Sequence, residues 1–442
     1  MPMSDGVTGQ PSGRKTGLGS IFLVLFVDLI GFSIVFPLYA VMLDWYGSQG
    51  SGLLGSMMGF VESIFPGGEH WQRAALFGGL LGAMYAGLQF VAAPFWGRMS
   101  DRHGRRPILL ISLCGSFAAN LLWVFSADFG LLLVSRLLAG VMTGNVAVAN
   151  AAVADITTEQ NRSKGMAAVG MAFGLGFIMG PAIGGLLSAV RLDHALPALV
   201  PYGINPFSAP AALAAGLAGL NLLWAWRSFR ETLPPERRSA VEPFTRTANP
   251  LAIFRNDLPK RVHAVNAAFC IHTLLFSGLE TTLVFLGAQR LELGPIAFGW
   301  LFAGMGFGSA LMQGAVVRPF GARIGMTRLA IVGFMLHVAG FVLLALVDTH
   351  PSLGLLVAGV AVMALATGLV FPSLATLASL AAPPDRQGYA MGTFRSASSL
   401  GRAIGPLVAA VAYFALSPGA PYWLGAAGML IPLFLVWRMA GR

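Results

Sequence analysis

The sequence predicts an all-α membrane protein with twelve transmembrane helices in two pseudo-symmetric six-helix bundles, and three observations carry that reading. Apolar residues fill 56% of the 442 positions and charged residues only 10%, against about 45–50% and 25% in soluble domains. Apolar runs of roughly 20 residues, the length that crosses a hydrocarbon core, recur between charged or Pro/Gly-rich breaks. A small-residue signature occurs twice, as Gly176-Phe-Ile-Met-Gly180-Pro181 and Gly401-Arg-Ala-Ile-Gly405-Pro406.

The first run, 18–43, follows Arg14 and Lys15 and could imitate a signal peptide. It exceeds the ~7–15 residues of such an apolar core and lacks an obvious cleavage site, so it reads as a retained span. The remaining runs are 75–97, 107–126, 130–154, 166–188, 208–229, 262–286, 296–317, 328–347, 353–378, 388–413 and 422–437. The two small-residue signatures fall in the fifth and eleventh, where closely crossing helices need small side chains. Between the sixth and seventh runs, five prolines and seven basic residues mark 230–261 as a cytoplasmic linker. The expected organisation is therefore a tail 1–17, a first bundle 18–229 with a long external loop 44–74, the linker, and a second bundle 262–442. Two related bundles around a central site are the layout for alternating access.

With the N-terminus in the cytoplasm, the 28 Lys and Arg divide into 22 cytoplasmic, 3 external (Arg73, Arg191, Arg290) and 3 within spans (Arg136, Arg395, Arg402). The positive-inside rule then puts both termini in the cytoplasm, with the inner membrane as the expected location. A basic face toward anionic lipid accounts for the net charge of +10 without nucleic acid. Cys114 and Cys270 lie in apolar runs and read as packing residues, leaving no disulfide framework or metal site. No nucleophile with a neighbouring base and no phosphate-cradling loop points to an enzyme or a cofactor. In the external loop, Leu53, Leu54, Met57, Met58, Val61, Ile64 and Phe65 recur at helical spacing and predict an amphipathic interfacial helix, a lid or a brace.

The most charged stretch is Gly97-Arg-Met-Ser-Asp101-Arg102-His-Gly104-Arg105-Arg106-Pro107. It reads as a short, tightly turned loop between spans, in which the glycines permit close approach and Asp101 accepts hydrogen bonds from arginines or helix-end N–H groups. Ionisable groups at bilayer depth cost at least ~2.5–3.5 kcal/mol on insertion scales, which singles out Asp28, Arg136, Glu280, Arg395 and Arg402. Carboxylates can be neutralised by a proton, so Asp28 and Glu280 are candidate proton carriers. In the fourth run Arg136, Gly140, Gly144 and Ala147 share a face with Asn145 and Asn150 nearby, placing Arg136 to pair with a carboxylate, most simply Asp28. Polar stripes on the seventh run (Asn266, Cys270, Thr273, Ser277, Glu280, Thr281) and the eleventh (Arg395, Ser398, Ser399, Arg402) must face protein or a wet cavity. Gln89 and Asn145 complete the candidate substrate contacts. His272 and His337, also within spans, read as hydrogen-bonded packing residues.

These features resemble the major facilitator superfamily, in particular the twelve-span drug:proton antiporters close to bacterial tetracycline exporters, over nearly the whole chain. The resemblance implies a gating role for Gly97, Asp101, Arg102, Gly104, Arg105 and Arg106, proton coupling for Arg136, and an antiporter signature in Gly176, Gly180, Pro181, Gly184 and Gly185. Asp28-Leu-Ile-Gly31 with Pro37 is similar to the family's first-helix signature. The long first loop, Leu275 to Glu280, Gln289-Arg290 and the run Gly392 to Pro406 resemble the animal tetracycline-transporter-like branch, which implies organic anion export. The mirrored loop Arg318 to Arg328 departs from the pattern in lacking an acid. The expected function is proton-coupled antiport of amphiphilic small molecules such as drugs or organic anions, by a monomer with no metal. The alternatives are a proton-coupled symporter or uptake carrier for a metabolite and, in another class, a non-transporting membrane sensor.

Overall fold

The structure, a computed structural model, describes residues 17–64, 70–238, 258–293 and 295–440. The tail, most of the linker and Phe65 of the loop stripe lie outside the described residues. Every regular element among them is helical. The first span is α1 (Leu18–Ser33), a 3-10 turn over Phe36–Leu38, and α2 (Tyr39–Ser48). The break falls at Pro37, which has no N–H to continue the α-helical ladder. Helix α3 (Gly52–Ile64), in the first long loop, precedes α4 (His70–His103) and α5 (Arg105–Val124). The fourth span is split into α6 (Phe129–Val141) and α7 (Gly144–Ile156), followed by α8 (Arg162–Leu187), a four-residue α9 (Leu192–Ala195) and α10 (Ser208–Ser228).

The second half comprises α11 (Lys260–Leu291), α12 (Pro295–Met312), a π turn over Gln313–Val317, and α13 (Arg318–Ile324). After these come α14 (Met326–Thr349), α15 (Leu353–Ala381), α16 (Gln387–Ala415) and α17 (Ala420–Ala440). Among the described residues, 11 helices are long and apolar enough to cross a membrane, and α1 is a shorter apolar helix that reaches across only together with α2. The chain is a multi-pass membrane protein.

Both small-residue signatures do the same job in their own half. On α8, Cβ atoms at Gly176, Gly180 and Gly184 would collide with Leu29, Ser33 and Ile34 of the first span. The Ser33 hydroxyl also donates to the Gly176 carbonyl at 3.1 Å. On α16, Cβ atoms at Gly401 and Gly405 would strike the Cys270 and Leu274 carbonyls of α11. The fifth helix of each bundle is thereby seated backbone to backbone on the first, and the pseudo-symmetry is visible as one crossing made twice. Gly185 faces no neighbour within 4 Å and takes no part in it.

Three expectations are corrected. The charged stretch at 97–107 is not an open loop, because α4 continues through His103 and α5 begins at Arg105. Gly104 alone makes the turn, at φ 98°, which a residue without Cβ adopts at little cost. Gly325 makes the corresponding break in the second half, at φ 90°. In α3 the apolar stripe is narrower than its spacing suggests, for Leu54 is buried while Leu53 is exposed. Cys114 is exposed on α5 and is no core residue, since apolar runs in a membrane protein cover the outer surface as well as the interior.

The split between α6 and α7 frees carbonyls that hydrocarbon cannot satisfy. The Trp96 indole Nε1 donates to the Val141 carbonyl at 2.6 Å, and the Ser112 hydroxyl donates to the Met142 carbonyl. Ser112 also accepts from the Asn145 N–H at 2.9 Å, so this one hydroxyl bonds the end of α6 and the first turn of α7. Trp96→Phe keeps a smaller aromatic ring and removes the donor, leaving the Val141 carbonyl without this partner. We expect a loss of about 1–3 kcal/mol in stability, read as a lower midpoint in thermal unfolding; an unchanged midpoint refutes the capping role.

Candidate functional site

The seam between the halves is formed along α4 and α16. A Cβ on Gly97 would collide with the Gly388 carbonyl and one on Gly392 with the Ala93 carbonyl, so glycine is needed on both sides of the crossing. Further along, Ser396 Oγ donates to the Phe90 carbonyl at 2.5 Å and Ser399 Oγ to Gln89 Oε1 at 2.6 Å.

At the arginine-rich end of this seam Asp101 caps the partner half. Its carboxylate accepts the backbone N–H groups of Gly388 at 2.7 Å and Tyr389 at 2.6 Å, which are unsatisfied donors in the first turn of α16 and carry the positive end of its dipole. Arg105 holds Asp101 at 2.6 Å and Asp155 of α7 at 2.8 Å. Both Asp101 and Arg105 are buried. Glu231 Oε1 in turn accepts the Arg105 N–H at 2.7 Å, fixing the turn at Gly104. A second bridge at the same end joins Arg162 Nη1 to Ser379 Oγ at 2.5 Å.

Not all the expected gating residues meet the other half. Arg102 is exposed and joins none of these bonds. Arg106 donates to the Phe229 and Trp226 carbonyls at 2.9 and 2.7 Å, anchoring α5 to α10 within its own half. Arg98 lies 4.7 Å from the Tyr389 ring centroid, adding a cation–π contact across the seam. Asp155, Glu231 and Arg162 were missed from sequence; an acid or arginine at the same end of other spans was the available signal.

At mid-depth the intramembrane charges separate into distinct environments. Asp28 accepts from the Asn145 carboxamide at 2.5 Å and has no ion-pair partner among the described residues. The expected pairing with Arg136 is therefore not made. Arg136 lies 4.6 Å from the Trp123 ring centroid and bonds Ser135 Oγ at 2.9 Å, with Tyr39, Tyr85 and Tyr46 in electrostatic reach. An aromatic face and a hydroxyl replace the carboxylate as its compensation.

Glu280 is paired with Arg402 at 3.1 Å, and both side chains are about one-third exposed, at 29% and 36%. Arg395 stands over the Phe173 ring at 5.4 Å, with Nε buried and unpartnered and no ion pair among the described residues. Tyr85 lies within electrostatic reach of Arg395, Asp28, Arg136 and Tyr39. It thus joins the charges of both halves, yet neutral aromatic residues among 11% of the chain gave no signal of this.

The candidate substrate contacts divide accordingly. Arg395, Arg402 and Thr281 are partly accessible, whereas Gln89, Asn145, Ser277 and Ser399 are buried and taken up in packing bonds. Ser277 Oγ points to the Gly401 carbonyl at 3.4 Å, Asn266 to Thr393 at 3.1 Å and Thr273 to Ser398 at 3.3 Å. The polar stripes of α11 and α16 largely zip to each other, because hydroxyls in hydrocarbon gain more from a partner helix than from an open face. His272 and His337 pack edge to face at 4.7 Å in the second half.

Comparison with known proteins agrees with this architecture. The family model described as Major Facilitator Superfamily matches residues 21–316 and 268–441. The mouse major facilitator superfamily domain-containing protein 10 is 32% identical over 97% of this chain and 94% of its own length. The class C tetracycline resistance protein of Escherichia coli is 31% identical over 86% of this chain and 91% of its own length. The crystal structure of the human organic anion transporter MFSD10 (TETRAN) superposes with a TM-score of 0.86 at 32% identity, covering 97% of this chain and 100% of that one. Together with the twelve spans in two related bundles, these matches establish that the chain belongs to the Major Facilitator Superfamily and is a membrane transporter.

Proposed function

We propose that the protein exports amphiphilic organic anions in exchange for protons, by rocking its two halves about the seam. The observation that carries this reading is Arg395: a cation on the α16 side of the seam, paired with no carboxylate among the described residues, with an aromatic ring on one side and a phenol nearby. Such a place suits a cargo with one negative group and an apolar body. The human relative's designation as an organic anion transporter supports the same cargo class, and the bacterial relatives' designation as tetracycline resistance proteins fits removal of a small organic molecule.

Asp28 is the better proton carrier of the two carboxylates. Its only partner among the described residues is a neutral amide, so a proton can be added without breaking an ion pair, whereas protonating Glu280 would release Arg402. With the arginine-rich end in the cytoplasm, the bonds at Asp101 and Arg162 close that side and the cargo site faces outward. A proton taken at Asp28 then favours return, and cargo bound at Arg395 favours its release.

The reading is tested in proteoliposomes with a fluorescent organic anion and an imposed pH gradient. Anion movement opposite to proton movement is expected; movement with the protons would establish symport, and anion binding without flux a sensor. Arg395→Gln should weaken binding of the anion by about 10- to 100-fold, the 1.5–3 kcal/mol of a hydrogen bond to a charged group, and leave a cationic analogue little changed. Equal losses for both cargoes would exclude charge recognition at this side chain.

A further inference from the structure

We propose a binding site for the headgroup of an anionic phospholipid at the arginine-rich end, between α5 and α10. A cavity of about 360 Å³ there is lined by Arg106, Arg227, Phe229, Arg230 and Glu231. Among the described residues that line it the charge balance favours an anion, with three guanidinium groups against one carboxylate. That carboxylate is already committed, since Glu231 accepts the backbone N–H groups of Arg105, Arg106, Thr232 and Leu233 at 2.7 to 3.3 Å. Two carbonyls at the end of α10, those of Trp226 and Phe229, are turned to Arg106 Nη2 and Nε and away from an anion. Arg227 is exposed and makes no hydrogen bond or ion pair to a described residue.

The surroundings distinguish a lipid from a free phosphate. Trp224 and Trp226 are exposed within three residues of the lining Arg227, and amphipathic indoles settle at the headgroup level of a bilayer. Below it, Leu220, Leu223 and Trp224 form an exposed apolar stripe on α10, at the i, i+3, i+4 spacing that ends on Arg227. A phosphodiester held by the arginines would continue into acyl chains along that stripe. Its position also matters to the seam, for Glu231 and Arg106 are the residues that hold the start of α5 beside the Asp101 cap.

Native mass spectrometry of the full chain released from equimolar phosphatidylcholine and phosphatidylglycerol tests the site. Wild-type protein should retain phosphatidylglycerol preferentially. The double variant R227Q/R230Q should lose roughly 5-fold in retention per arginine, from about 1 kcal/mol for each basic residue at the surface. R237Q, which removes an exposed arginine outside the cavity, should retain the lipid as wild type does. Equal retention of both lipids, an equal loss in R237Q, or displacement of the lipid by millimolar inorganic phosphate would each overturn the proposal.

Discussion

Asp28→Asn should abolish accumulation of cargo driven by a proton gradient. Asparagine can still hydrogen-bond Asn145 and fills the same volume, so the packing at α1 and α7 survives while the titratable oxygen is lost. For one proton per cargo, a gradient of one pH unit supports about 10-fold accumulation, the equivalent of 1.4 kcal/mol. The variant should equilibrate cargo across the vesicle membrane without exceeding equality, while binding of the anion at Arg395 persists. The pH dependence has a definite sign: wild-type export should rise as the outer side is acidified and collapse when the gradient is dissipated by an ionophore. The variant's flux should ignore both treatments. Gradient-driven accumulation that persists in Asp28→Asn would move the proton role to Glu280, where the equivalent Gln substitution would then show the loss.

Asp101→Ala should release the seam at its arginine-rich end. The substitution removes two backbone caps on α16 and one of the two carboxylates facing buried Arg105. Breaking a buried pair from one side costs about 3–5 kcal/mol, enough to change the ratio of closed to open seam by roughly 10²- to 10⁴-fold. Spin labels at Arg102 and Arg386, both exposed near the seam, would report the opening as a longer distance in the variant. Asp101→Asn, which keeps an acceptor and loses the charge, should lie between. An unchanged distance in Asp101→Ala would show that Arg162 and the glycine contacts hold the seam without the cap.

The comparison of Asp28 with Asp101 explains how far a sequence reaches. Both carboxylates announced themselves through their cost in an apolar chain. The composition could not say that one meets an amide and the other a helix end, because partners such as Asn145, Gly388 and Tyr389 are separated from them by more than a hundred residues. Arg136 and Arg395 show the same limit differently. The sequence offered Asp28 as a partner for Arg136 and read Arg395 as a substrate contact, and the fold set them beside Trp123 and Phe173, whose ring faces carry no formal charge to be noticed. Hydroxyl stripes on α11 and α16 were legible as faces avoiding lipid, but whether such a face meets water or a neighbouring helix depends on the crossing.

By itself the sequence determined the membrane class, the twelve apolar spans, the repeat of two bundles and the short roster of charges that had to have a purpose. Those follow from local quantities: run length, spacing and the expense of a charge in hydrocarbon. Only the tertiary structure decided that the supposed loop at 97–107 is helix with a single glycine turn, that Asp101 reaches across to α16, and that Arg395 stands over an aromatic ring with no carboxylate paired to it among the described residues. Each of these depends on which helix lies beside which, and that is set by the sum of packing over both bundles, which no single stretch of the chain contains.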